Sequence, residues 1–266
     1  MKNKVYVFLS HDVDWPKHGP GVNHILARKS RFPEAVIQKI LKEGYNPYYN
    51  IPEIMSAEEA AGIRSTFFFR PLYDDGTDVY CYKDDIADLI KGGWEVGVHL
   101  NSANTAEEIK KQKKMIEEII GGRAAGCRVH YLRVNEKSFE NIAKAGFLYD
   151  SSLVYSKDHI DSRNMGYTTK NSLIIFPITL MDAYMFTYMK IKEEEVLKVV
   201  EDALNKALNE NIDIITILWH VSSVQMKGGR AFFKLTEFLA SKDYVEVIRG
   251  IDAYKLVTER IQNERK

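Results

Sequence analysis

Short apolar runs recur along the chain at residues 5–9, 65–69, 94–98, 129–132, 147–149, 174–178 and 214–219. Several are continuous rather than alternating. Thr66-Phe67-Phe68-Phe69 and Ile214-Ile215-Thr216-Ile217-Leu218 leave no polar face for water. Strands covered on both sides read this way, and parallel sheets are built from such strands. Between the runs lie stretches with helical spacing. One runs from Pro33 to Lys42 and is ended by Gly44, with proline in the first turn and glycine past the last. Thr105 and Glu108 form a capping-box pattern that opens a second helix, stopped by Gly121-Gly122. Residues 193–209 place Val196, Val199, Val200, Ala203, Leu204, Ala207 and Leu208 on one stripe. Residues 230–241 and 251–262 suggest two more helices, and Met181, Met185 and Met189 recur at a spacing that suits a packed face.

This alternation predicts an α/β fold: a single distorted (β/α) barrel with about seven parallel strands. No Pro/Ser/Gly-rich linker and no internal repeat divides residues 1–266, so the whole chain reads as one domain. An open doubly wound sheet is the other option, but it usually shows a GxGxxG or GxxxxGK[ST] loop, and neither occurs. The irregular stretch at about residues 15–31 reads as a loop insertion, and residues 45–53 and 151–171 are also irregular.

Composition narrows the partners. Lys+Arg and Asp+Glu are both 37, so the net charge is zero. That argues against a nucleic-acid or anionic-membrane partner. The dense run Lys110-Lys111-Gln112-Lys113-Lys114 lies between Glu107-Glu108 and Glu117-Glu118 and reads as a solvated helix face. Cys81 and Cys127 are the only cysteines. Without a CxxC pair a thiolate zinc site is excluded, and two isolated thiols suit a reducing, cytoplasmic setting. The apolar start runs straight into His11-Asp12-Val13-Asp14, which reads as a buried first strand rather than a secretion signal. No run is long enough to span a membrane.

In a parallel barrel, reactive groups gather at the C-terminal strand ends. Each run here delivers an ionisable residue there: Asp12 and Asp14, Arg70, His99, His130 and Arg133, Asp150, Asp182, and His220. Asp12 and Asp14 share a strand face and can share a proton or hold a cation. His99 with one carboxylate is part of a site for a divalent ion such as zinc. An arginine from Arg128-Val-His130-Tyr-Leu-Arg133 needs an anionic partner inside the barrel. Asp12 is the natural one, and the pairing keeps that carboxylate ionised as a base. His220, after a run of buried aliphatics, suits a proton donor to a leaving amine. Each side chain also has a plainer use as a turn cap, core histidine or structural ion pair. Their coincidence at the strand ends carries the functional reading.

In order along the chain, Ser10-His11-Asp12-Val13-Asp14, Ser65-Thr66-Phe67-Phe68-Phe69, Glu95-Val96-Gly97-Val98-His99, Tyr149-Asp150-Ser151-Ser152 and Trp219-His220 resemble the motifs of the polysaccharide deacetylases. These are the NodB-homology carbohydrate esterases, family 4-like, and the branch most resembled opens on His-Asp-x-Asp. The resemblance runs from Leu9 to about Ile248. It implies a divalent metal, zinc foremost, and hydrolysis of an N-acetyl or other N-acyl group from a sugar or related amide. It also implies that Asp12 is the catalytic base, Asp14 and His99 are metal ligands, Arg133 tethers the base and His220 is the general acid, oriented by Asp150 or Asp182. Arg70, His130, Asp182 and Trp219 are expected to bind substrate.

One departure stands out. The family places a second histidine four residues after the first, and here that position is Ala103. A third ligand is then sought in Asn104 or in the insertion, at His18 or His24. Two alternatives follow: an amidohydrolase on the same fold, with a formamide or allantoin-type substrate, or a catalytically degenerate carbohydrate-binding protein. Ala103 favours the second of these, and the joint presence of Asp12, Asp14, His99, Arg133 and His220 favours a hydrolase. The zero net charge suits a small, uncharged amide or saccharide substrate better than a polyanion.

Overall fold

The computed structural model describes residues 4–264. Among these, ten strands form one sheet: β1 (Val5–Val13), β2 (Thr66–Phe69), β3 (Glu95–Leu100), β4 (Gly126–Val129), β5 (Tyr149–Asp150), β6 (Thr168–Lys170), β7 (Leu173–Ile175), β8 (Leu180–Met181), β9 (Ile214–Leu218) and β10 (Val245–Ile248). Their order is β6-β7-β5-β4-β3-β2-β1-β9-β8, with β10 also against β1. Every pairing is parallel except β6 with β7.

The sheet curls on itself through residues 173–181. At one end of this stretch β7 pairs with β5, and the Phe176 amide donates to the Asp150 carbonyl at 2.9 Å. At the other end β8 pairs with β9, and the Thr179 amide donates to the Thr216 carbonyl at 2.9 Å. The mostly parallel sheet thus curls around the interior as a half-barrel, in line with the alternation of runs and helices.

β1 is the organising strand. Residues 7–13 are all buried, because neighbours cover both of its edges. Its first half pairs with β10 (Val5↔Val245), its second half with β2 (Ser10↔Thr66), and its other edge with β9 (Tyr6↔Ile214). The interior fills in layers from the bottom. Phe8, Tyr149 and Phe176 meet edge to face at centroid distances of 5.7–5.8 Å. Tyr149 lies so close over Gly126 that a Cβ there would come within 1.9 Å of the ring, so glycine is required at that point of β4. The Arg128 guanidinium sits 4.6 Å above the Phe68 ring. The titratable side chains described below occupy the layer above it.

Helices cover the outside. The helix Glu34–Glu43 ends on Gly44 in the left-handed conformation (φ 65°), as its sequence predicts. The Thr105 hydroxyl caps the helix Ala106–Ile120 by accepting from the Glu108 amide at 3.2 Å. The reciprocal half of that capping box is absent, because the Glu108 carboxylate accepts instead from the Ser102 hydroxyl. The insertion after β1 holds a short helix, Val22–Leu26. Its Ile25 joins Phe32, Tyr48 and the Val36, Ile37 and Ile40 face of the helix Glu34–Glu43 in a satellite core. No helix among the described residues is long and apolar enough to cross a membrane.

The fourth strand departs from its expected position. It runs Gly126–Val129 rather than 129–132. The apolar Tyr131 and Leu132 leave the sheet in the left-handed conformation (φ 59° and 54°). The run 174–178 is likewise divided between β7 and the link to β8.

Candidate active site

β1 carries Asp12 to the barrel mouth and ends just before Asp14, β3 carries His99, and the turn after β4 carries His130. Asp14 Oδ1 lies 3.1 Å from His99 Nε2 and 3.3 Å from His130 Nδ1. The two imidazole nitrogens are 3.1 Å apart. These three atoms form a nearly equilateral triangle. Four-coordinate zinc with bonds of about 2.0–2.1 Å has ligand–ligand edges of about 3.4 Å, so the triangle is the size of one face of such a site. The chemistry of the donors agrees. His99 Nδ1 lies 3.0 Å from the Arg128 carbonyl, which holds the proton on that nitrogen and leaves Nε2 bare. Asp14 Oδ1 is buried without a hydrogen-bond donor of its own. The residues therefore fit a divalent ion, and Asp14, His99 and His130 form the group among the described residues that could hold one.

This placement corrects the search for a third ligand. His18 is exposed and bonds Asp75 at 2.9 Å. His24 packs against Trp15 and Tyr48. Asn104 is exposed, and its carbonyl accepts from Asn141. Ala103, at the family's second histidine position, is buried. His130, expected to bind substrate, comes to this triangle from another strand.

Asp12 lies beside the triangle, with Oδ2 3.7 Å from His99 Nε2. Its tether is Arg128, not Arg133. Arg128 is fully buried, and its Nη1 donates to Asp12 Oδ1 at 2.8 Å. Its other donors are also engaged: Nε to the Ser151 carbonyl at 2.7 Å, and Nη2 to the Ser10 and Ser151 hydroxyls at 2.9 and 2.8 Å. Arg133 stands outside on the surface over the Tyr131 ring. Burial pushes the Asp12 carboxyl up, but Arg128, His99 and His220 more than reverse this and hold it below the usual carboxylate range. Asp14 is held well below that range: burial opposes ionisation, and the adjoining imidazoles of His130, His99 and His220 overcome it.

His220, just past β9, faces the triangle from the other side, with Nε2 3.6 Å from Asp14 Oδ2. Its Nδ1 lies 2.6 Å from Asp182 Oδ1. Asp182 also accepts from the His220 amide at 3.0 Å and from the Ser223 hydroxyl. Burial disfavours the His220 cation, but Asp182, Asp14 and Asp12 outweigh it and raise its pKa to about 10. Asp182 is thus the partner of His220, the orienting role expected of Asp150 or Asp182. Asp150 is elsewhere: its carboxylate accepts from the Ser152 amide and hydroxyl at 2.8 and 2.7 Å and from the Cys127 thiol. Burial raises its pKa to about 6.

Two further expectations are corrected by burial. Trp219 has no exposure and packs on Phe232 and Phe186, so it is core rather than a substrate platform. Arg70 is 4% exposed, reaching Asp74 at 2.6 Å and the Asp14 carbonyl at 3.4 Å, so it braces the loop that follows Asp14.

Glu58 belongs to none of the motifs, yet it lies behind the site. His11 Nδ1 meets the Trp219 carbonyl at 2.8 Å, and its Nε2 meets Glu58 Oε1 at 2.8 Å. Glu58 Oε2 accepts from Ser65 and from Trp94 Nε1, at 2.8 and 2.6 Å. A signal was present: Glu58 is in helical phase with the buried Ile51 and Ile54.

No protein-family model and no curated protein matches this chain. Solved structures do resemble it. A "putative polysaccharide deacetylase" from Mycobacterium smegmatis aligns with a TM-score of 0.67 at 18% identity, over 98% of this chain and 92% of the other. A mutant of a peptidoglycan deacetylase from Bacillus subtilis aligns at 0.51 and 14% identity, over 99% and 96%. A carbohydrate esterase family 4 pseudoenzyme from Bacillus anthracis aligns at 0.51 and 12% identity, over 96% and 66%. At these identities the likeness speaks for the fold, which is the NodB-like fold of the polysaccharide deacetylases.

Proposed function

We propose that this protein is a metal-dependent hydrolase that removes an N-acyl group, N-acetyl foremost, from an amino sugar or related amide. The observation that carries the reading is the triangle of Asp14, His99 and His130, with a tethered carboxylate on one side and a carboxylate-bound imidazole on the other. A divalent ion held by those three residues would act as a Lewis acid toward water and the amide oxygen. Zinc is the ion best matched to two imidazoles and one carboxylate.

The protein's own groups divide the proton work. Arg128 keeps Asp12 ionised, so Asp12 can accept a proton from the attacking water. Asp182 holds His220 Nδ1–H and keeps the ring charged, which directs the Nε2 proton toward the mouth of the site. His220 then donates that proton to the departing nitrogen. Both groups stand beside the proposed ion site, Asp12 Oδ2 3.7 Å from His99 Nε2 and His220 Nε2 3.6 Å from Asp14 Oδ2, so different residues take the proton from water and give one to the leaving nitrogen.

Ala103 and the likeness to a pseudoenzyme favour a second reading, a carbohydrate binder without turnover. Acetate release from N-acetylated saccharides by protein loaded with zinc separates the two. Hydrolysis that is abolished in Asp12→Asn, with bound metal retained, supports the hydrolase. Saccharide binding with no acetate release from any N-acetylated saccharide or formamide substrate supports the binder.

A further inference from the structure

A cavity of about 390 Å³ opens beside His220, lined in part by Arg31, Thr187, Ser222 and Lys227. Two segments of one charge sign meet at its rim. Residues 15–33 contain Lys17, Arg28, Lys29 and Arg31 and no aspartate or glutamate; residues 219–236 contain Lys227, Arg230 and Lys234 and again none. They are joined through Lys227, whose amide donates to the Arg31 carbonyl at 2.8 Å and whose Nζ donates to the Ser30 carbonyl at 3.0 Å.

One carboxylate, Asp182, lines the cavity with Arg31 and Lys227, and it and the other nearby carboxylates already have partners. Asp85 takes Lys17 at 2.6 Å, Asp182 takes His220 and Ser223, and Glu193 accepts from the Gly228 amide at 2.9 Å. Among the described residues no ion pair is formed by Arg31 or Lys227, nor by the neighbouring Arg28, Lys29, Arg230 and Lys234, whereas Lys17, Arg70, Arg128 and His220 each have a carboxylate partner. The zero net charge of the chain therefore hides a local excess of cations on one wall of the site. A concave wall of this kind concentrates anions, and a guanidinium and an ammonium together suit a carboxylate or phosphate.

We propose that this cavity receives an anionic group, carboxylate or phosphate, carried by the substrate on the side of its leaving nitrogen. The preferred substrates are then anionic N-acyl amines rather than the neutral ones that the overall charge balance suggests. The proposal rests on the hydrolase reading, since it places the anion by the position of His220.

The test compares N-acetylglucosamine, N-acetylmuramic acid and N-acetylglucosamine 6-phosphate as substrates of the zinc-loaded protein. A kcat/KM about tenfold or more higher for one or both charged compounds is expected. The advantage should shrink as salt rises and fall toward one in Arg31→Gln/Lys227→Gln. Which charged compound gains separates a carboxylate site from a phosphate site. Equal kcat/KM for all three, or an advantage that survives the double substitution, overturns the proposal. Calorimetric binding of the same compounds to Asp12→Asn, with and without the double substitution, needs no turnover. If no compound is hydrolysed by the unaltered protein, the hydrolase reading fails and binding decides the anion site alone. Tighter binding of a charged compound that depends on Arg31 and Lys227 sustains it, and equal binding overturns it.

Discussion

His11 Nε2 lies 2.8 Å from Glu58 Oε1, and neither side chain is exposed to solvent. The second nitrogen of His11 holds the carbonyl of Trp219, the residue before His220. The pair therefore ties the strand that leads to both aspartates to the end of the strand that presents His220. Removing one member of a buried pair leaves the other without compensation, at about 3–5 kcal/mol. Glu58→Ala should lower unfolding stability by about that much in denaturant titration, and Glu58→Gln, which keeps polar contacts, by less.

The arginine assignment is open to a direct comparison. Arg128→Ala leaves Asp12 buried and unpaired, so it should lose about 3–5 kcal/mol of stability and all measurable turnover. Arg133→Ala, at the surface, should change stability by no more than about 0.5 kcal/mol and leave turnover near normal. Equal effects from the two would refute the tether.

Metal content tests the triangle. His130→Ala and His99→Ala should each lose bound zinc after dialysis, measured by elemental analysis against unaltered protein. His18→Ala, His24→Ala and Asn104→Ala should retain it. Retention in His130→Ala would remove His130 from the site.

Asp150 gives stability a pH dependence. Its folded pKa of about 6 lies above the ordinary aspartate value of 3.8, so the folded state binds the proton more tightly than the unfolded chain. Its contribution therefore worsens as pH rises from about 4 to about 6 and is constant above that. The limiting penalty is about 3 kcal/mol from a shift of this size. Asp150→Asn has no such proton to lose. The stability difference between Asp150→Asn and the unaltered protein should move in favour of the variant between pH 4 and pH 6, then level off. A difference independent of pH would contradict the shift.

His220 should titrate far above the normal histidine range, and Asp182→Asn should bring it down. Burial works against the cation, and Asp182 is the largest opposing influence that raises the pKa to about 10. NMR titration of the metal-free protein reads this shift directly, and the same pKa in both proteins would remove Asp182 as its partner.

The barrel was readable because its strands are buried on both faces and stand out as apolar runs. β4 shows where that signal misleads. Its inward residues are Gly126 and Arg128, one without a side chain and one charged, so the strand itself looks weak. The apolar Val129, Tyr131 and Leu132 look like the strand, yet the last two turn away in the left-handed conformation. The displacement put Arg133 where Arg128 belongs and hid His130 among the substrate contacts. Asp182 and Asp150 were indistinguishable for a different reason. Both follow apolar runs, and only the curl that brings residues 180–181 beside β9 sets Asp182 against His220. Glu58 was hidden because its partner is remote in sequence, although its helical phase marked it as facing inward.

The sharing of β1 between early and late strands has a consequence for biosynthesis. His11 and the Trp219 carbonyl it holds are separated by 208 positions, and β10 pairs with the first half of β1. A ribosome must therefore deliver most of the chain before β1 has both edges covered or Asp14 has His220 opposite it. Until then the emerging protein exposes an uncapped, strongly apolar strand, which is a hazard for misassociation. The residues of the triangle are all made by residue 130, and only His220 joins them late, so a nascent chain stalled before β9 should depend on chaperones.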